Sequence, residues 1–176
     1  VVNRLQHINV TVNKTWSDPT ATHPTITINL LQNGSQYRTL TLPTTGGAWS
    51  DTFSNLPKGY FVTNGSTTTF TAYTYTVEEV AVTGYDKVIG TATTAADGSK
   101  TFPITNTAKT TTATVKKVWQ GTNTLYPAVT LQLLRDGTVV NSRTLDGTES
   151  TAWQYTFTGL PLGVYQTNSQ TGLLEY

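Results

Sequence analysis

The sequence repeats itself at an interval of slightly more than one hundred residues, and this repeat limits how the chain can fold. Such a period exceeds the repeats of solenoids, which have about 20–50 residues, and is typical of a tandem array of sandwich domains. The matching pairs are VNKTW at 12–16 with VKKVW at 115–119, LLQNG at 30–34 with LLRDG at 133–137, and WSDTF at 49–53 with WQYTF at 153–157. We therefore expect two domains, 1–108 and 109–176, the second incomplete at its C-terminus.

The residues of both copies favour strands over helices. Threonine is abundant, and Val, Ile and Tyr support it, whereas no window has the 3.6-residue period of a helix. Alternating segments bounded by turn signals such as Asn33-Gly34 predict β-strands. In the first copy these segments are 10–16, 25–31, 37–42, 49–53, 70–80 and 101–107. We interpret the chain as all-β.

The composition excludes several classes of function. A net charge of +1 with 12% charged residues argues against a nucleic-acid partner, which needs clustered Lys and Arg. No apolar run approaches the roughly 20 residues of a transmembrane helix, so we expect no direct membrane insertion. With no cysteine, no phosphate-binding glycine loop, and His7 and His23 lacking partners at ligand spacing, we expect no metal and no cofactor.

Lys14 interrupts an apolar stripe. At a period of two, Val10, Val12, Lys14 and Trp16 share one face of a strand. A buried ammonium costs several kcal/mol unless it is paired, neutralised or consumed by chemistry. The sequence therefore predicts that Lys14 meets a specific partner inside the domain.

Two other strands each carry one polar residue at the end of an apolar row. Glu79 shares a face with Tyr75 and Val77, and Asn106 is aligned with Ile104. If these faces converge on Lys14, the residue types suit amide bond formation between a lysine amine and an asparagine carboxamide. Burial favours the neutral amine and the neutral carboxylic acid, and the acid can polarise the carboxamide and relay protons. The alternative is a buried Lys14–Glu79 ion pair beside Asn106.

These segments resemble a known family, the B-type repeat domain of collagen-binding adhesins of Gram-positive bacteria (the Cna B-type domain). The motifs are VTVNKTW at 10–16, LPKG at 56–59, YTVEE at 75–79 with GY at 84–85, and ITNT at 104–107. The resemblance implies an immunoglobulin-like or prealbumin-like sandwich with an autocatalytic Lys–Asn isopeptide crosslink. By position, the crosslinked pair is Lys14 and Asn106, and Glu79 is the assisting acid. Glu78 lies on the opposite face.

In the second copy, Lys117 corresponds to Lys14 because Val115, Lys117 and Trp119 share a face, whereas we expect Lys116 to be solvated. This copy stops before any counterpart of 75–79 or 101–106. A crosslink at Lys117 therefore needs an acid and an asparagine from downstream or from another chain.

The resemblance implies a structural function outside the cell. We expect a stalk segment of a cell-wall-anchored adhesin or pilus subunit of a Gram-positive bacterium, flanked by other domains of the same surface protein. Host matrix protein or glycan would be bound by other domains, and the chain would catalyse only its own single crosslinking event. The alternatives are a host-ligand binding module, using 49–60 or the long connection 81–98, and a strand-accepting assembly domain. Trp16, Trp49, Trp119 and Trp153 recur in both copies, which favours packing over sugar binding.

Overall fold

Short alternating segments of Thr, Val and Ile form strands throughout the computed structural model, which describes residues 6–122, 125–149 and 151–176. The chain divides into two compact units, one that ends at Lys109 but also includes Gly163–Tyr176, and one formed by Thr110–Leu162. None of the described residues is helical. Accordingly, no helix in this part of the chain is long and apolar enough to cross a membrane. The expected all-β class is confirmed.

The first unit is a sandwich of two sheets with two additional hairpins. One sheet has the order β4-β1-β10-β8, with β9 beside β10, and the other has the order β3-β2-β7. The hairpins are β5–β6 and β15–β16. The strands are β1 His7–Trp16, β2 Ile26–Gln32, β3 Ser35–Leu42, β4 Ser50–Pro57, β5 Gly59–Asn64, β6 Thr67–Ala72, β7 Tyr75–Glu79, β8 Tyr85–Ile89, β9 Thr93–Thr94, β10 Lys100–Ala108, β15 Gln166–Thr167 and β16 Leu174–Glu175.

The core lies between the two sheets and follows the predicted alternation. Along β1, every second side chain from Ile8 to Trp16 is buried. Ile26, Ile28 and Leu30 of β2 face the same space from the other sheet. β1 pairs in parallel with β10 and antiparallel with β4, so the first and last long strands of the unit are neighbours.

The Asn-Gly signal forms the turn that the sequence predicts. Asn33 and Gly34 have φ values of 51° and 83° and join β2 to β3. Two successive residues with positive φ match the twist of an antiparallel hairpin, and Asn and Gly adopt this conformation at low cost. In the second unit, Asp136 and Gly137 have φ values of 52° and 80° at the equivalent place.

The structure differs from the prediction in two segments. The single strand expected at 70–80 is two strands, β6 and β7, because the main chain of Thr74 bonds to both the main chain and the side chain of Asn33. That attachment ends the hairpin and starts a strand of the three-stranded sheet. The connection expected at 81–98 contains β8 and β9, which extend the other sheet beyond β10.

The second unit contains four strands in two antiparallel pairs. They are β11 Thr110–Lys116, β12 Val129–Arg135, β13 Thr138–Leu145 and β14 Gln154–Pro161. The β11–β14 register shifts between Thr111 and Ala113, as the β1–β4 register shifts between Ile8 and Val10. Among the described residues, β12 pairs only with β13, whereas β2 has β7 as a second neighbour. The side chain of Leu133 is therefore only half-buried, whereas Leu30 is fully buried.

This difference in burial predicts unequal effects of one substitution at matched positions. Leu30→Ala is expected to lower the free energy of unfolding of the first unit by about 3 kcal/mol, because it leaves a cavity in a closed core. Leu133→Ala is expected to cost the second unit about 1 kcal/mol, because the leucine retains contact with water. Native-state hydrogen exchange with mass spectrometry resolves the two units. Equal losses of unfolding free energy from the two substitutions would contradict the conclusion that the core is closed around Leu30 and open around Leu133.

Candidate functional site

The core of the first unit contains three polar side chains among its apolar residues. Lys14, Glu79 and Asn106 are 5%, 0% and 0% exposed, and they are the buried polar residues of the described chain. They are also the three that the sequence singles out by alternation. Glu78 is exposed on the opposite face of β7.

The sheet geometry explains why these side chains meet. Lys14 lies opposite Ile104 in the parallel β1–β10 pair, and Trp16 lies opposite Asn106, so Lys14 and Asn106 are one step apart on the same inner face. Glu79 ends β7 in the three-stranded sheet and reaches the same region of the core. Two residues come from one sheet and the acid comes from the other.

Glu79 bridges the other two residues. Its Oε1 accepts a hydrogen bond of 2.6 Å from Asn106 Nδ2, and its Oε2 lies 3.7 Å from Lys14 Nζ. The second distance is too long for a hydrogen bond, which agrees with Oε2 and Asn106 Oδ1 both being buried without a hydrogen-bond partner. Lys14 Nζ donates instead to the main-chain carbonyl of Thr15 at 2.9 Å. It also lies 4.0 Å from the ring centre of Trp16.

Burial changes the proton affinity of the lysine. Desolvation lowers the pKa of Lys14 from 10.5 to about 8, and the nearby negative charge of Glu79 opposes this effect in part. A fraction of the amine is therefore neutral near physiological pH. Transfer of one proton from Lys14 to Glu79 would turn two buried charges into two neutral groups. The neutral amine is a nucleophile, and the carboxamide carbon of Asn106 is an electrophile beside it.

An aromatic cluster packs around the lysine end of the site. His23 stacks on Trp16 with ring centres 4.1 Å apart, and Trp49 and Tyr85 contact Trp16 edge-on at 5.2 and 4.8 Å. Asp18 accepts hydrogen bonds from the Tyr85 hydroxyl at 2.8 Å and contacts His23 Nε2 at 3.2 Å. This cluster excludes water from the face of Trp16 that it covers. The recurrence of tryptophan predicted packing here, but it did not predict the part played by His23 and Asp18.

Lys87 is a further residue at the site that the sequence analysis missed. It lies directly opposite Asn106 in the β8–β10 pair, and its ammonium donates to the main-chain carbonyl of Glu79. It thereby ties an edge strand of one sheet to the end of β7 in the other. Its alternation with Tyr85 and Ile89 on β8 is the signal that would have placed it on the inner face.

The second unit reproduces the lysine and its aromatic surroundings. The main-chain N–H of Lys117 donates to the carbonyl of Trp153 at 2.7 Å, as that of Lys14 donates to Trp49 at 2.8 Å. Trp119 stacks on Tyr126 at 4.7 Å and meets Trp153 edge-on at 5.2 Å. Lys117 is half-buried, with Nζ 4.2 Å from the Trp119 ring centre, and Lys116 is exposed. Within the described residues, Lys117 Nζ donates to the Val118 carbonyl at 3.4 Å, and no carboxylate lies within 4.0 Å of it.

Among the residues that the structure describes, no group of three or more His, Asp or Glu side chains could hold a metal ion.

Comparisons with solved structures find similar chains in surface proteins. A single B repeat unit (B1) of the collagen-binding surface protein Cna of Staphylococcus aureus is 26% identical, with a TM-score of 0.41, over 96% of this chain and 82% of that one. The two-repeat B1B2 structure of the same protein is 24% identical, with a TM-score of 0.47, over 90% and 41%. The pilus adhesin SpaC from Lactobacillus rhamnosus GG, in an open conformation, is 17% identical, with a TM-score of 0.38, over 93% and 21%.

The family comparison covers most of the chain. No curated protein matches it. The sequence profile of the Cna protein B-type domain, however, matches twice, at residues 10–107 and 113–171. The first match includes the whole Lys14–Glu79–Asn106 site, and the second includes Lys117 with its aromatic neighbours. Both repeats of this chain thus belong to the Cna protein B-type domain family.

Proposed function

We propose that this chain is a stalk segment of a Gram-positive surface adhesin or pilus subunit, and that an isopeptide bond between Lys14 and Asn106 stabilises its first domain. The observation that carries the proposal is the position of the Glu79 carboxyl group, 2.6 Å from Asn106 Nδ2 and 3.7 Å from Lys14 Nζ in a closed core. An ordinary ion pair does not require an asparagine as its third member.

The reaction balances without a cofactor. Lys14 gives one proton to Glu79, and the neutral amine attacks the side-chain carbonyl carbon of Asn106. The new carbon–nitrogen bond forms, the bond from that carbon to Nδ2 breaks, and ammonia leaves with a proton relayed from Lys14 through Glu79. Glu79 takes up a proton from Lys14 and passes one on to the leaving nitrogen, so it acts as a proton relay. The packed fold holds the reactants together, which makes an unactivated amide reactive.

Two features support a structural role for the bond. It closes a loop of about 90 residues, and by the chain-entropy argument used for disulfides this contributes several kcal/mol. It also joins β1 to β10, the first and last long strands of the unit. A chain without cysteine has no disulfide to serve the same purpose.

Membership of the Cna B-type family supports a place in a multidomain surface protein. We propose that the chain functions outside the cell, on the cell wall, with neighbouring domains of the same protein as its constant partners. Its only reaction would be its own crosslinking, and recognition of host matrix protein or glycan would belong to other domains. The domains proposed are 1–108 and 109–176. In the second, Lys117 would react only if strands equivalent to β7 and β10 supplied an acid and an asparagine.

The intact mass of the purified chain tests the crosslink. We expect a deficit of about 17 Da, one ammonia, in the parent. Lys14→Ala, Glu79→Ala and Asn106→Ala should each restore the full mass, because each removes the nucleophile, the proton relay or the electrophile.

Two matched variants control the mass measurement. Lys117→Ala should keep the deficit, because the equivalent lysine of the second unit is not involved. Asn106→Asp, if it reacts, should lose about 18 Da, one water, since the leaving group is then a hydroxyl. A parent at its full calculated mass would leave a buried ion pair and refute the proposal.

The lowered pKa of Lys14 predicts a pH dependence in a chain that cannot crosslink. Burial gives the folded lysine a pKa of about 8 in the parent, against 10.5 when it is exposed, and Asn106→Ala is expected to keep this burial. Between these two values the unfolded chain then binds the extra proton. The free energy of unfolding should therefore rise as the pH is raised from 8 to 10.5, by up to about 3 kcal/mol. Below pH 8 the cost of the buried ammonium is fully present.

Urea unfolding across this range should be compared with the double variant Lys14→Met/Asn106→Ala, which lacks the titrating amine. The other lysines and the tyrosines titrate equally in both chains, so the difference reports Lys14 alone. A difference that does not change with pH would show that the Lys14 amine has its ordinary proton affinity.

A further inference from the structure

Two hairpins of the first unit are built in the same way. In each, a glycine at or shortly before the start of the first strand has an aromatic ring lying over it, which leaves no room for a Cβ, and that ring contacts a second aromatic ring. The ring centres are 5.3 Å apart at 63° in one hairpin and 5.2 Å apart at 58° in the other. The residues are Gly59, Phe61 and Phe70 in β5–β6, and Gly163, Tyr165 and Tyr176 beside β15–β16, where Tyr165 directly precedes β15 and Tyr176 directly follows β16.

The aromatic pair of the second hairpin is seated on a loop of the same unit. The Tyr165 hydroxyl donates to the carbonyl of Thr83 at 3.2 Å, and its ring is stacked with Tyr85 at 6.5 Å and 17°. The ring of Tyr176 lies against Gly84, where a Cβ would collide with it. Burial raises the pKa of both Tyr85 and Tyr165, as expected for rings that are covered. We call residues 83–85 the glycine-tyrosine loop.

The glycine of this loop is required for two reasons. Gly84 has a φ of +81°, a conformation that other residues rarely adopt. The space that its side chain would occupy is filled by an aromatic ring from the hairpin. The loop is therefore shaped to receive a ring at that position.

The aromatic pair of the first hairpin has no such cover. Phe61 is 64% exposed and Phe70 is 45% exposed, on a hairpin whose residues 59–72 include no charged side chain. Large neighbouring apolar side chains left in water commonly mark an interaction surface. The similar pair Tyr165 and Tyr176 packs on the glycine-tyrosine loop, which shows what kind of surface the Phe61–Phe70 pair fits.

We propose that Phe61 and Phe70 dock onto the glycine-tyrosine loop of another Cna B-type repeat. The inference rests on the proposed place of this chain in an array of such repeats, but not on the crosslink. Because the donor hairpin and the acceptor loop are different parts of one repeat, the contact is heterologous and can continue from one copy to the next. Phenylalanine lacks the hydroxyl that Tyr165 uses, so this contact is held by ring packing alone.

The chain allows a direct test, because its own glycine-tyrosine loop is occupied by Tyr165 and Tyr176. The variant Tyr165→Ala/Tyr176→Ala frees this loop for the Phe61–Phe70 pair of a second molecule. Sedimentation velocity should then show concentration-dependent association with a Kd on the order of 100 µM, whereas the parent stays monomeric. Adding Phe61→Ser and Phe70→Ser should abolish the association.

The absence of cysteine makes a second, site-specific readout possible. In the Tyr165→Ala/Tyr176→Ala chain, Thr63→Cys with Thr83→Cys should give disulfide-linked oligomers on mild oxidation, because Thr63 is exposed on the same face of β5 as Phe61 and both phenylalanine rings stay in place. Val62→Cys with Thr83→Cys is the matched control, because Val62 is also exposed but points to the opposite face of β5. The milder single variant Tyr176→Ala, which removes one ring, should give the same oligomers in lower yield.

Three outcomes would overturn the inference. The first is a Tyr165→Ala/Tyr176→Ala chain that keeps the circular dichroism of the parent but remains monomeric at millimolar concentration. The second is association that persists without Phe61 and Phe70, and the third is equal disulfide yields from positions 63 and 62. The mass deficit reports the crosslink alone. A failure of this inference and a failure of the crosslink can therefore be told apart.

Discussion

The burial of one ammonium group against one carboxyl group is the constraint on which the first unit depends. Lys14 and Glu79 come from different sheets, so neither can be withdrawn from the core without opening the sandwich. Two opposite charges in a dry interior recover only part of the hydration that they lose. Asn106 completes the arrangement by bonding to the acid, and the proposed reaction removes the charge by replacing the amine with an amide. In this interpretation, the ion pair and the crosslinking reaction both reduce the free-energy cost of burying the Lys14 ammonium.

The second unit shows which part of this arrangement does not depend on the acid or the asparagine. Its lysine, its stacked ring pair and its edge-on tryptophan repeat the geometry of the first unit, although Tyr126 replaces His23 and no carboxylate pairs with Lys117 among the described residues. The aromatic frame is therefore a local property of the β11–β14 pair and the segment that follows β11. An aromatic frame that forms without an acid and an asparagine would already hold the lysine in the position from which it could react with them.

Alternation predicted the site because burial along a strand has a period of two, and Lys14, Glu79 and Asn106 each end or interrupt an apolar row. It could not predict the parallel β1–β10 pairing, since strand neighbours depend on long-range packing. Alternation also missed the break at Tyr73 and Thr74. Tyr73 and Tyr75 are two residues apart, so in the sequence they continue one alternating pattern, although the chain passes there from one sheet to another. His23 and Asp18 lie in a loop without periodicity, so only the folded chain brings them to Trp16.

The parallel pairing of β1 with β10 has a consequence for extensibility. A pulling force that enters at His7 and leaves at Ala108 would run along most of β1 before it reaches Lys14, and would leave β10 two residues after Asn106. With these side chains joined, the roughly 90 residues between them lie outside the path of tension. Fully extended, they would add about 300 Å to the length of the molecule. A fibre built from such domains would transmit a sudden load at nearly constant length.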